Sequence, residues 1–386
     1  MRRSTDRILT THTGSLPRPP QLVQLLYARE RGDSVDEAEF EQTVRLAVRD
    51  VVAQQVAAGV SVVNDGEMSK VMYSTYVATR VTGFEGEAKE PPAGALDLDE
   101  HPEWTQRMYA LRSSGAPGVA RRPACTGPIQ YWNTAAVERD IANLKEALVG
   151  QPVADAFLSA ASPGVVSIFL ENQYYPNHEA YVFALADAMK TEYDLIARSG
   201  LTLQIDCPDL AMGRHSKWRR LSFEEFRQVA ATNVEALNHA LRDIPPEQVR
   251  IHLCWGNYEG PHTHDVPLRD ILDLVFRVRA TGISFEAANP RHAHEWAIWE
   301  EISLPEGKVL IPGVLDSTTN FVEHPELVCQ RIVQFARLVG RENVIAGTDC
   351  GFSTAAGAMN VVPSITWAKF RALSEGAALA TRALWE

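Results

Sequence analysis

One local pattern recurs along this chain: apolar residues at helical spacing, then a glycine, then a short run rich in β-branched residues. The glycines of its copies are Gly59, Gly200, Gly282 and Gly340. A glycine just past a helix adopts the left-handed conformation that turns the chain back toward a sheet. Strands that alternate with helices pair in parallel, and long parallel sheets are doubly wound or closed into barrels. The pattern therefore predicts an α/β fold.

Several segments have the length and composition of strands. They are residues 8–13, 60–65, 122–126, 165–170, 201–206, 249–254, 283–286, 309–314 and 343–348. Polar residues stand at or just after their carboxyl ends, which converge on one mouth in a barrel but spread along an edge in an open sheet. We therefore predict a single (β/α)8 TIM barrel. Since a barrel of this kind holds eight strands, either 122–126 or 165–170 lies outside it or is not a strand.

The whole chain, residues 1–386, is predicted to form one catalytic barrel. Its length exceeds that of an ordinary domain but suits one α/β barrel with insertions. Residues 85–122 are rich in proline, glycine and acidic residues and interrupt the alternation of helices and strands. We therefore expect an insertion over the barrel rim around 85–122 rather than a linker between domains.

Charge and cysteine content narrow the class of protein. The net charge of -12 and the pI near 5.5 argue against nucleic acid or an anionic membrane as the main partner. The five cysteines are an odd number, which fits reduced thiols better than a disulfide framework. No apolar run reaches the length of a membrane span, and the first residues lack the apolar segment of an export signal. We therefore predict a cytoplasmic location.

Two metal-ligand residue types stand close together in one strand-like segment. His252 and Cys254 are two positions apart, so their side chains point to the same face and one zinc ion can contact both. Taken alone, this spacing is better explained by a buried histidine beside an inert core thiol. Cys350 and Glu286 end two other apolar segments and supply the remaining ligands of a tetrahedral site. The set as a whole therefore predicts zinc held by His252, Cys254, Glu286 and Cys350.

The predicted ligand set indicates what the zinc would do. Two thiolates, a carboxylate and a neutral imidazole leave a net negative site, so a bound substrate thiol stays nucleophilic as a thiolate. An entering thiolate must displace one ligand, and the hard carboxylate of Glu286 is the expected one. The alternative is a structural zinc site, which also has four protein ligands and no open position. Structural sites usually join loops through two close ligand pairs, whereas these ligands come from three strand ends.

Six short segments, in order along nearly the whole chain, match motifs of one known family. They are Thr13-Gly14-Ser15-Leu16-Pro17, Asp65-Gly66-Glu67, Thr126-Gly127-Pro128, Gln204-Ile205-Asp206-Cys207-Pro208, His252-Leu253-Cys254 and Thr348-Asp349-Cys350-Gly351. The chain resembles the cobalamin-independent methionine synthase family, specifically its C-terminal catalytic barrel. Short single-barrel relatives of that barrel include the epoxyalkane:coenzyme M transferases.

The resemblance implies a zinc-dependent transferase that moves a methyl or other alkyl group onto a small thiol such as homocysteine. It implies that the turn at 13–15 and Glu67 hold the amino-acid end of homocysteine. Glu286 falls where the family has its zinc carboxylate. The substrate-binding candidates are Gly14, Ser15, Glu67, Thr126 and Asp206.

A further acid stands at the end of a strand-like segment. Asp316 is positioned to orient the substrate or His252, and the alternative role is capping of the next helix. The catalytic candidates are therefore His252, Cys254, Cys350 and Asp316.

Departures from the family pattern concern the methyl donor. Folate-dependent members have a second, N-terminal barrel, which this sequence lacks. Cys207 stands where they have a glutamate, and Thr318 stands where they have the histidine that protonates the leaving folate. Because folate leaves poorly without that proton, we expect methyltetrahydrofolate to be a weak donor. The expected partners are a homocysteine-like thiol and an alkyl donor, with a corrinoid or an epoxide favoured over folate.

Two other functions stay open. One is epoxide opening by a thiol, which in the coenzyme M transferase type requires a cationic pocket for a sulfonate. The other is a zinc-stapled binding protein without catalysis, which unfolds when its zinc is removed. The pairs His262/His264 and His292/His294 are assigned to substrate contacts or to solvated loops, with a second metal as the alternative.

Overall fold

The computed structural model describes residues 1–90, 94–112 and 122–386. Its strands are β1 (Leu9–Thr10), β2 (Val62–Asn64), β3 (Gly86–Glu87), β4 (Pro123–Cys125), β5 (Asp155–Ala161), β6 (Glu171–Asn172), β7 (Thr202–Asp206), β8 (Val249–His252), β9 (Gly282–Phe285), β10 (Val309–Leu315) and β11 (Ile345–Thr348). Its α-helices are α1 (Pro20–Arg31), α2 (Glu37–Ala57), α3 (Leu96–Glu100), α4 (Pro102–Arg112), α5 (Thr134–Leu148), α6 (Pro163–Phe169), α7 (His178–Arg198), α8 (Phe223–Ala240), α9 (Leu272–Arg277), α10 (Pro325–Val339) and α11 (Pro363–Trp385). Within the described ranges, no helix combines the length and apolar character that crossing a membrane requires.

The central sheet has eight strands in the order β1-β11-β10-β9-β8-β7-β5-β2. Neighbouring strands are parallel; Ile251 of β8, for example, pairs with Ile205 of β7 and with Ile283 of β9. Between β2 and β1 the ring is completed by the amide of Ser61, which donates to the carbonyl of Thr10 at 3.2 Å. The predicted (β/α)8 barrel is confirmed.

Two predicted strands lie outside the barrel, and one barrel strand has no counterpart among the predicted segments. Residues 165–170 are largely helical in α6, because the Ser162 hydroxyl caps the helix by accepting from the amide of Val165 at 2.9 Å and Pro163 occupies its first turn. Residues 122–126 contribute β4 to a separate sheet with β3 and β6. The missing strand is β5, whose alanine-rich sequence lacks β-branched residues.

Three of the four pattern glycines turn the chain as predicted. Gly59, Gly200 and Gly340 have φ angles of 84°, 86° and 90°, a region that residues with a Cβ rarely adopt. The prediction is wrong for Gly282, which begins β9 instead of ending a helix. A Cβ at this position would lie 2.6 Å from the Cβ of Arg250. Close packing of β9 against β8 therefore requires this glycine.

A buried arginine fills the barrel interior below the mouth. Arg250 donates from Nε to Oε1 of Gln204 at 2.7 Å, from Nη1 to the Thr11 hydroxyl at 3.0 Å, and from Nη2 to the carbonyl of His12 at 2.7 Å. Its guanidinium lies 3.5 Å from the centre of the Phe157 ring. These bonds satisfy a charge that burial alone would make costly. They also tie β8 to β7 and to the segment after β1.

The described part of the predicted insertion contacts the rim of the mouth. Asp97 of α3 accepts hydrogen bonds from the Tyr258 hydroxyl at 3.1 Å and the Thr263 hydroxyl at 2.7 Å. The amide of Leu96 donates to the carbonyl of His215 at 3.1 Å. We refer to α3 and α4 together as the roof. Its position depends on the loop that follows β8, the strand that carries His252.

Candidate functional site

Three metal-ligand side chains come together at the carboxyl ends of β8 and β11. Nε2 of His252 and the Sγ atoms of Cys254 and Cys350 all lie within 4.8 Å of one another. The two Sγ atoms are 3.1 Å apart, and Cys350 Sγ lies 3.7 Å from His252 Nε2. His252 and Cys350 are buried, and Cys254 is partly exposed. An imidazole and two thiols in this arrangement form a donor set of the kind that zinc binds.

The fourth predicted ligand, Glu286, lies beside this group. Its Oε1 is 3.4 Å from Cys350 Sγ, but the carboxylate is not among the atoms that all lie within 4.8 Å of one another. Oε1 accepts from the amide of Trp255 at 2.8 Å, and Oε2 accepts from Asn289 Nδ2 at 2.8 Å. Two soft donors and an imidazole therefore form the tight group, with a hard carboxylate held next to it.

The protonation states of these groups fit a metal centre. Burial, and secondarily the charge of Arg250, lowers the pKa of His252 to about 3, so its imidazole is neutral at ordinary pH. Its Nδ1 faces the hydroxyl of Ser284 at 3.2 Å, while Nε2 faces the thiols. Burial raises the pKa of Cys350 well above its usual value. A cation is therefore needed to hold this sulfur as a thiolate.

Asp349, which was not among the predicted site residues, binds the turn that follows Glu286. Asp349 Oδ1 and Oδ2 accept from the three backbone amides of residues 287–289 at 2.8 Å each. Burial, with the nearby charges of Glu286 and Asp316, raises the pKa of Asp349 to about 7. The contact ties the turn after Glu286 to β11. Its only sequence signal is that Asp349 directly precedes Cys350.

A cavity of about 250 Å³ occupies the barrel mouth. The three ligand residues of the tight group line it, together with the substrate candidates Ser15, Glu67 and Asp206. The remaining described lining residues are mainly small, aromatic or methionine side chains. From the roof they are Leu98, Met108 and Tyr109, from the segment just before it Gly94 and Ala95, and from the barrel they include Met72, Tyr73, Ile168, Phe169, Met212 and Tyr258. Three of the four predicted metal ligands and three of the five predicted substrate residues therefore line one cavity.

Glu67, which lines this cavity, has one carboxylate oxygen without a hydrogen-bond partner among the described residues. Its backbone has φ of 57°, a strained value for a residue with a side chain. Oε1 accepts from the Ser159 hydroxyl at 2.7 Å. Oε2 is buried, lies 3.8 Å from Arg18 Nη2, and has no hydrogen-bond partner in the part of the chain that the structure describes. A Cβ on Gly14 would lie 3.0 Å from Oε1, so glycine is required there.

Asp206 is the second acid of the cavity. Burial, and secondarily the charge of Glu67, raises the pKa of Asp206 to about 8. Gln204 Nε2 donates to its Oδ1 at 2.8 Å and also to the carbonyl of Thr13. Cys207, which follows in the sequence, is fully buried. A cationic ligand group in the cavity would favour the ionised form of Asp206.

Two predicted site residues lie elsewhere. Thr126 is exposed in the turn after β4, where its amide donates to the carbonyl of Gly83 at 2.8 Å, and it is not among the described residues that line the cavity. Asp316 accepts at Oδ1 from the amide and hydroxyl of Thr318 at 2.8 Å, and at Oδ2 from the amide of Thr319 at 3.0 Å. Its carboxylate thus closes the turn after β10, whereas the next helix, α10, is capped by His324, so the capping alternative is wrong.

Three of the four paired histidines contact carboxylates. His262 Nδ1 and His292 Nε2 lie 2.8 Å and 2.9 Å from Oδ2 of the buried Asp265. His264 faces Glu100 of α3 at 2.8 Å, whereas His294 is exposed. His262 also stacks on Tyr258, which lines the cavity. These histidines therefore support the loops around the mouth.

The fold and the donor set define a class: (β/α)8-barrel proteins with a thiol and imidazole metal site in the barrel mouth. The family model of the cobalamin-independent synthase catalytic domain matches residues 163–368. The chain belongs to this family, as its six motifs predict.

Individual relatives agree with this assignment. The methionine synthases of Pyrococcus furiosus and Thermococcus kodakarensis are each 24% identical to it, over 89% of this chain and 85% and 86% of theirs. A B12-independent methionine synthase from a Shewanella species, solved in complex with selenomethionine, superposes with a TM-score of 0.71 at 20% identity, over 98% of this chain and 99% of that one. A putative vitamin-B12-independent methionine synthase from Listeria monocytogenes gives 0.65 at 18% identity, with the same coverage. The two solved structures share the fold of this chain.

Proposed function

We propose that this protein is a methionine synthase-like transferase that uses zinc to move a methyl group onto a small thiol such as homocysteine. The observation that carries the proposal is the shared cavity: the imidazole and two thiols of the tight group line the same 250 Å³ space as Ser15, Glu67 and Asp206. Membership of the cobalamin-independent synthase family supports the same reaction type.

His252, Cys254 and Cys350 are the proposed zinc ligands, with Glu286 as the exchangeable fourth. When bound, zinc supplies a Lewis-acidic centre that keeps a substrate thiol in its thiolate form. The contacts of Glu286 support its separate role, because Trp255 and Asn289 hold both of its oxygens beside the group rather than within it. A carboxylate with protein partners for both oxygens leaves a metal at lower cost than one without.

The proposed thiol carries an amino-acid end. Oε2 of Glu67, which accepts no hydrogen bond from the described residues, is suited to accept from an ammonium group, and a cation in the cavity would favour the ionised form of Asp206. The Thr13 to Ser15 turn is the proposed contact for the carboxylate, since it lies at the same wall of the cavity. A substrate thiol without an amino group would leave the buried acceptor of Glu67 unpaired, which is costly.

We also propose that the chain acts as one catalytic barrel, in which the described part of the predicted insertion at 85–122 shields the reacting sulfur from water; residues 91–93 and 113–121 of that range lie outside the described residues. The roof helices support this proposal, because Leu98 and Met108 line the cavity. A cytoplasmic location is proposed as well, since the two ligand thiols must stay reduced, and all five cysteines are unpaired.

The experiment has one readout that needs no donor. Cobalt-substituted protein is titrated with homocysteine while the sulfur-to-metal absorption is followed, and a shift of this band is expected as the thiol joins the metal. Methionine formation is then measured with zinc-loaded and chelated protein, using methyl iodide as a small electrophile. Activity that survives complete chelation would contradict the proposal. Circular dichroism after chelation separates the alternatives, because a zinc-stapled binding protein unfolds whereas the proposed enzyme keeps its barrel.

A sulfonate-bearing thiol, as in the epoxide-opening alternative, is less well supported. Among the described residues that line the cavity, the charged side chains are Glu67 and Asp206, both acidic. A sulfonate would meet these carboxylates without a basic partner from those residues, which is unfavourable in a partly desolvated space.

A further inference from the structure

The two thiols of the tight group belong to loops that follow different strands. Cys254 lies in the loop after β8, and Cys350 lies in the loop after β11. Loops are more mobile than the strands that they connect. The separation of the two thiols therefore depends on the contacts between these loops.

A buried serine from a third loop binds the backbone of Cys350. The hydroxyl of Ser317, which follows β10, accepts from the amide of Cys350 at 3.1 Å. The same hydroxyl donates to Oδ1 of Asn257 at 3.2 Å. Ser317 is 1% exposed, and hydrogen bonds away from water are stronger than exposed ones. Ser317 thus joins the loop that carries Cys350 to the loop that carries Cys254.

Asn257 closes this connection from the loop after β8. Its Nδ2 donates to the carbonyl of Gly351 at 2.7 Å, and its own carbonyl accepts from Nδ2 of Asn360 at 3.2 Å. Asn257, Ser317, Cys350 and Gly351 therefore form a closed ring, in which the chain from Cys350 to Gly351 completes the hydrogen bonds. We refer to these four residues as the thiol clamp.

The thiol clamp differs from the contacts of Glu286 in the atoms that it uses. The bonds of Ser317 and Asn257 within the clamp involve backbone and amide groups, none of which a metal would bind. The bonds that Glu286 receives from Trp255 and Asn289 go to its carboxylate oxygens, the atoms that a metal would bind. Metal binding therefore competes with the bonds of Glu286 and leaves the clamp intact.

We propose that Ser317 and Asn257 are positioning residues, which keep Cys254 and Cys350 in place so that an entering substrate thiolate displaces Glu286. This inference rests on the proposed function and specifies how ligand exchange is directed to one residue. The Glu286 carboxylate leaves with its electron pair and keeps its protein partners. The substrate thiolate, whose proton goes to solvent, brings the electron pair that replaces it.

The first test counts thiolate ligands in cobalt-substituted protein. The sulfur-to-metal absorption grows with the number of bound thiolates, so homocysteine is expected to raise it by about half in the parent, from two thiolates to three. In Ser317→Ala and Asn257→Ala, a released clamp lets a cysteine leave instead, and the rise should be less than about half of the parent's. A rise equal to the parent's in both variants would overturn this inference and leave the proposed function intact. No change of the band in the parent would instead overturn the proposed function.

The second test asks whether the two residues act as one unit. Groups that orient metal ligands typically contribute about 10–100-fold to affinity, and zinc affinity should fall by this factor in either single variant. Because either substitution opens the same ring, the double variant is expected to bind zinc within about threefold of the weaker single variant. Losses that multiply in the double variant would overturn the inference.

Ser167→Ala is the matched control for both tests. Ser167 is a buried serine whose hydroxyl donates to the carbonyl of Gly164 at 2.7 Å within α6, away from the thiol clamp. Its variant is expected to match the parent in zinc affinity and in the cobalt band, and losses equal to those of the clamp variants would overturn the inference. Asn257 is only partly buried, so Asn257→Ala decides the first test if Ser317→Ala does not fold.

Discussion

In the half of the mouth built by β8, β9 and β11, the metal-ligand candidates are held by bonds from neighbouring residues. Ser284 contacts His252, and Trp255 and Asn289 hold Glu286. In the half built by β1, β2 and β7, Glu67 has a strained backbone and an oxygen that accepts no hydrogen bond from the described residues and lies 3.8 Å from Arg18 Nη2. In the proposed function, the first half holds the metal ion, whereas the second is completed by the substrate thiol. Strain and an unpaired acceptor are typical of binding sites.

The largest effect is expected in the preorganised half. Cys350→Ser removes a soft ligand from the tight group, and we expect zinc content to fall from about one per chain to near zero. Cys329→Ser is the matched control, since Cys329 is an unpaired, half-buried thiol on α10. Metal analysis after dialysis measures both. Full zinc in the Cys350 variant would show that the metal site lies elsewhere.

Zinc affinity should depend steeply on pH. Because burial raises the pKa of Cys350, its thiol is protonated without metal and must release the proton on binding. If Cys254 does the same, the apparent affinity falls by up to about 100-fold for each pH unit of acidification. Competition with a chelator between pH 6 and 8, about the range in which thiol ligands compete with protons, measures the slope. An affinity independent of pH would mean that the thiolates exist before zinc binds.

Glu67→Gln is expected to weaken substrate binding in the half of the mouth built by β1, β2 and β7. Leaving one partner of a buried charge pair alone costs about 3–5 kcal/mol, so the KM for homocysteine should rise by about 100-fold or more, with zinc content unchanged. Glu30→Gln is the control, because Glu30 also has a buried unpartnered oxygen but is not among the described residues lining the mouth cavity. If thiols without an amino group react equally well with the parent protein, Glu67 does not bind an ammonium.

A smaller effect is expected from Asp349→Asn. This change replaces one of the two oxygens that accept from the amides of 287–289 with an NH2 group, which loosens the turn that holds Glu286. Groups that orient metal ligands typically contribute about 10–100-fold to affinity. Asp316→Asn is the comparison, since Asp316 closes a different turn. Equal losses in both variants would assign the effect to general loosening of the mouth.

The barrel and the donor set were accessible from sequence because their signals are local. A helix, a glycine and a strand repeat within about 30 residues, and His252 and Cys254 reveal a shared face by spacing alone. The strand β5 carries no such signal, because its own sequence is rich in alanine and contains no β-branched residue. Local signals also mislead where helix capping overrides strand-like composition. Residues 165–170 were predicted as a strand, but capping by Ser162 makes them largely helical in α6.

The parts that sequence did not reveal depend on distant contacts. Asp349 holds residues 287–289 across about 60 positions of chain, which no motif spacing encodes. The separation of Glu286 from the tight group depends on its bonds to Trp255 and Asn289. Sequence order correctly placed Asp316 at a strand end, but only the direction of its carboxylate shows that it closes a turn. Motifs therefore predict which residues meet, and hydrogen bonds determine their roles.

The buried Arg250 limits how such barrels can be recombined. It reaches from β8 to Thr11 and the carbonyl of His12, and its partner Gln204 extends the same bonds to Thr13 and Asp206. A chimera that joined the first strands of this barrel to the last strands of a relative would separate this cation from its acceptors. Peripheral loops can therefore be exchanged between relatives more easily than half-barrels. Donor preference can change through the roof, whereas the strands joined by Arg250 and Gln204 must stay together.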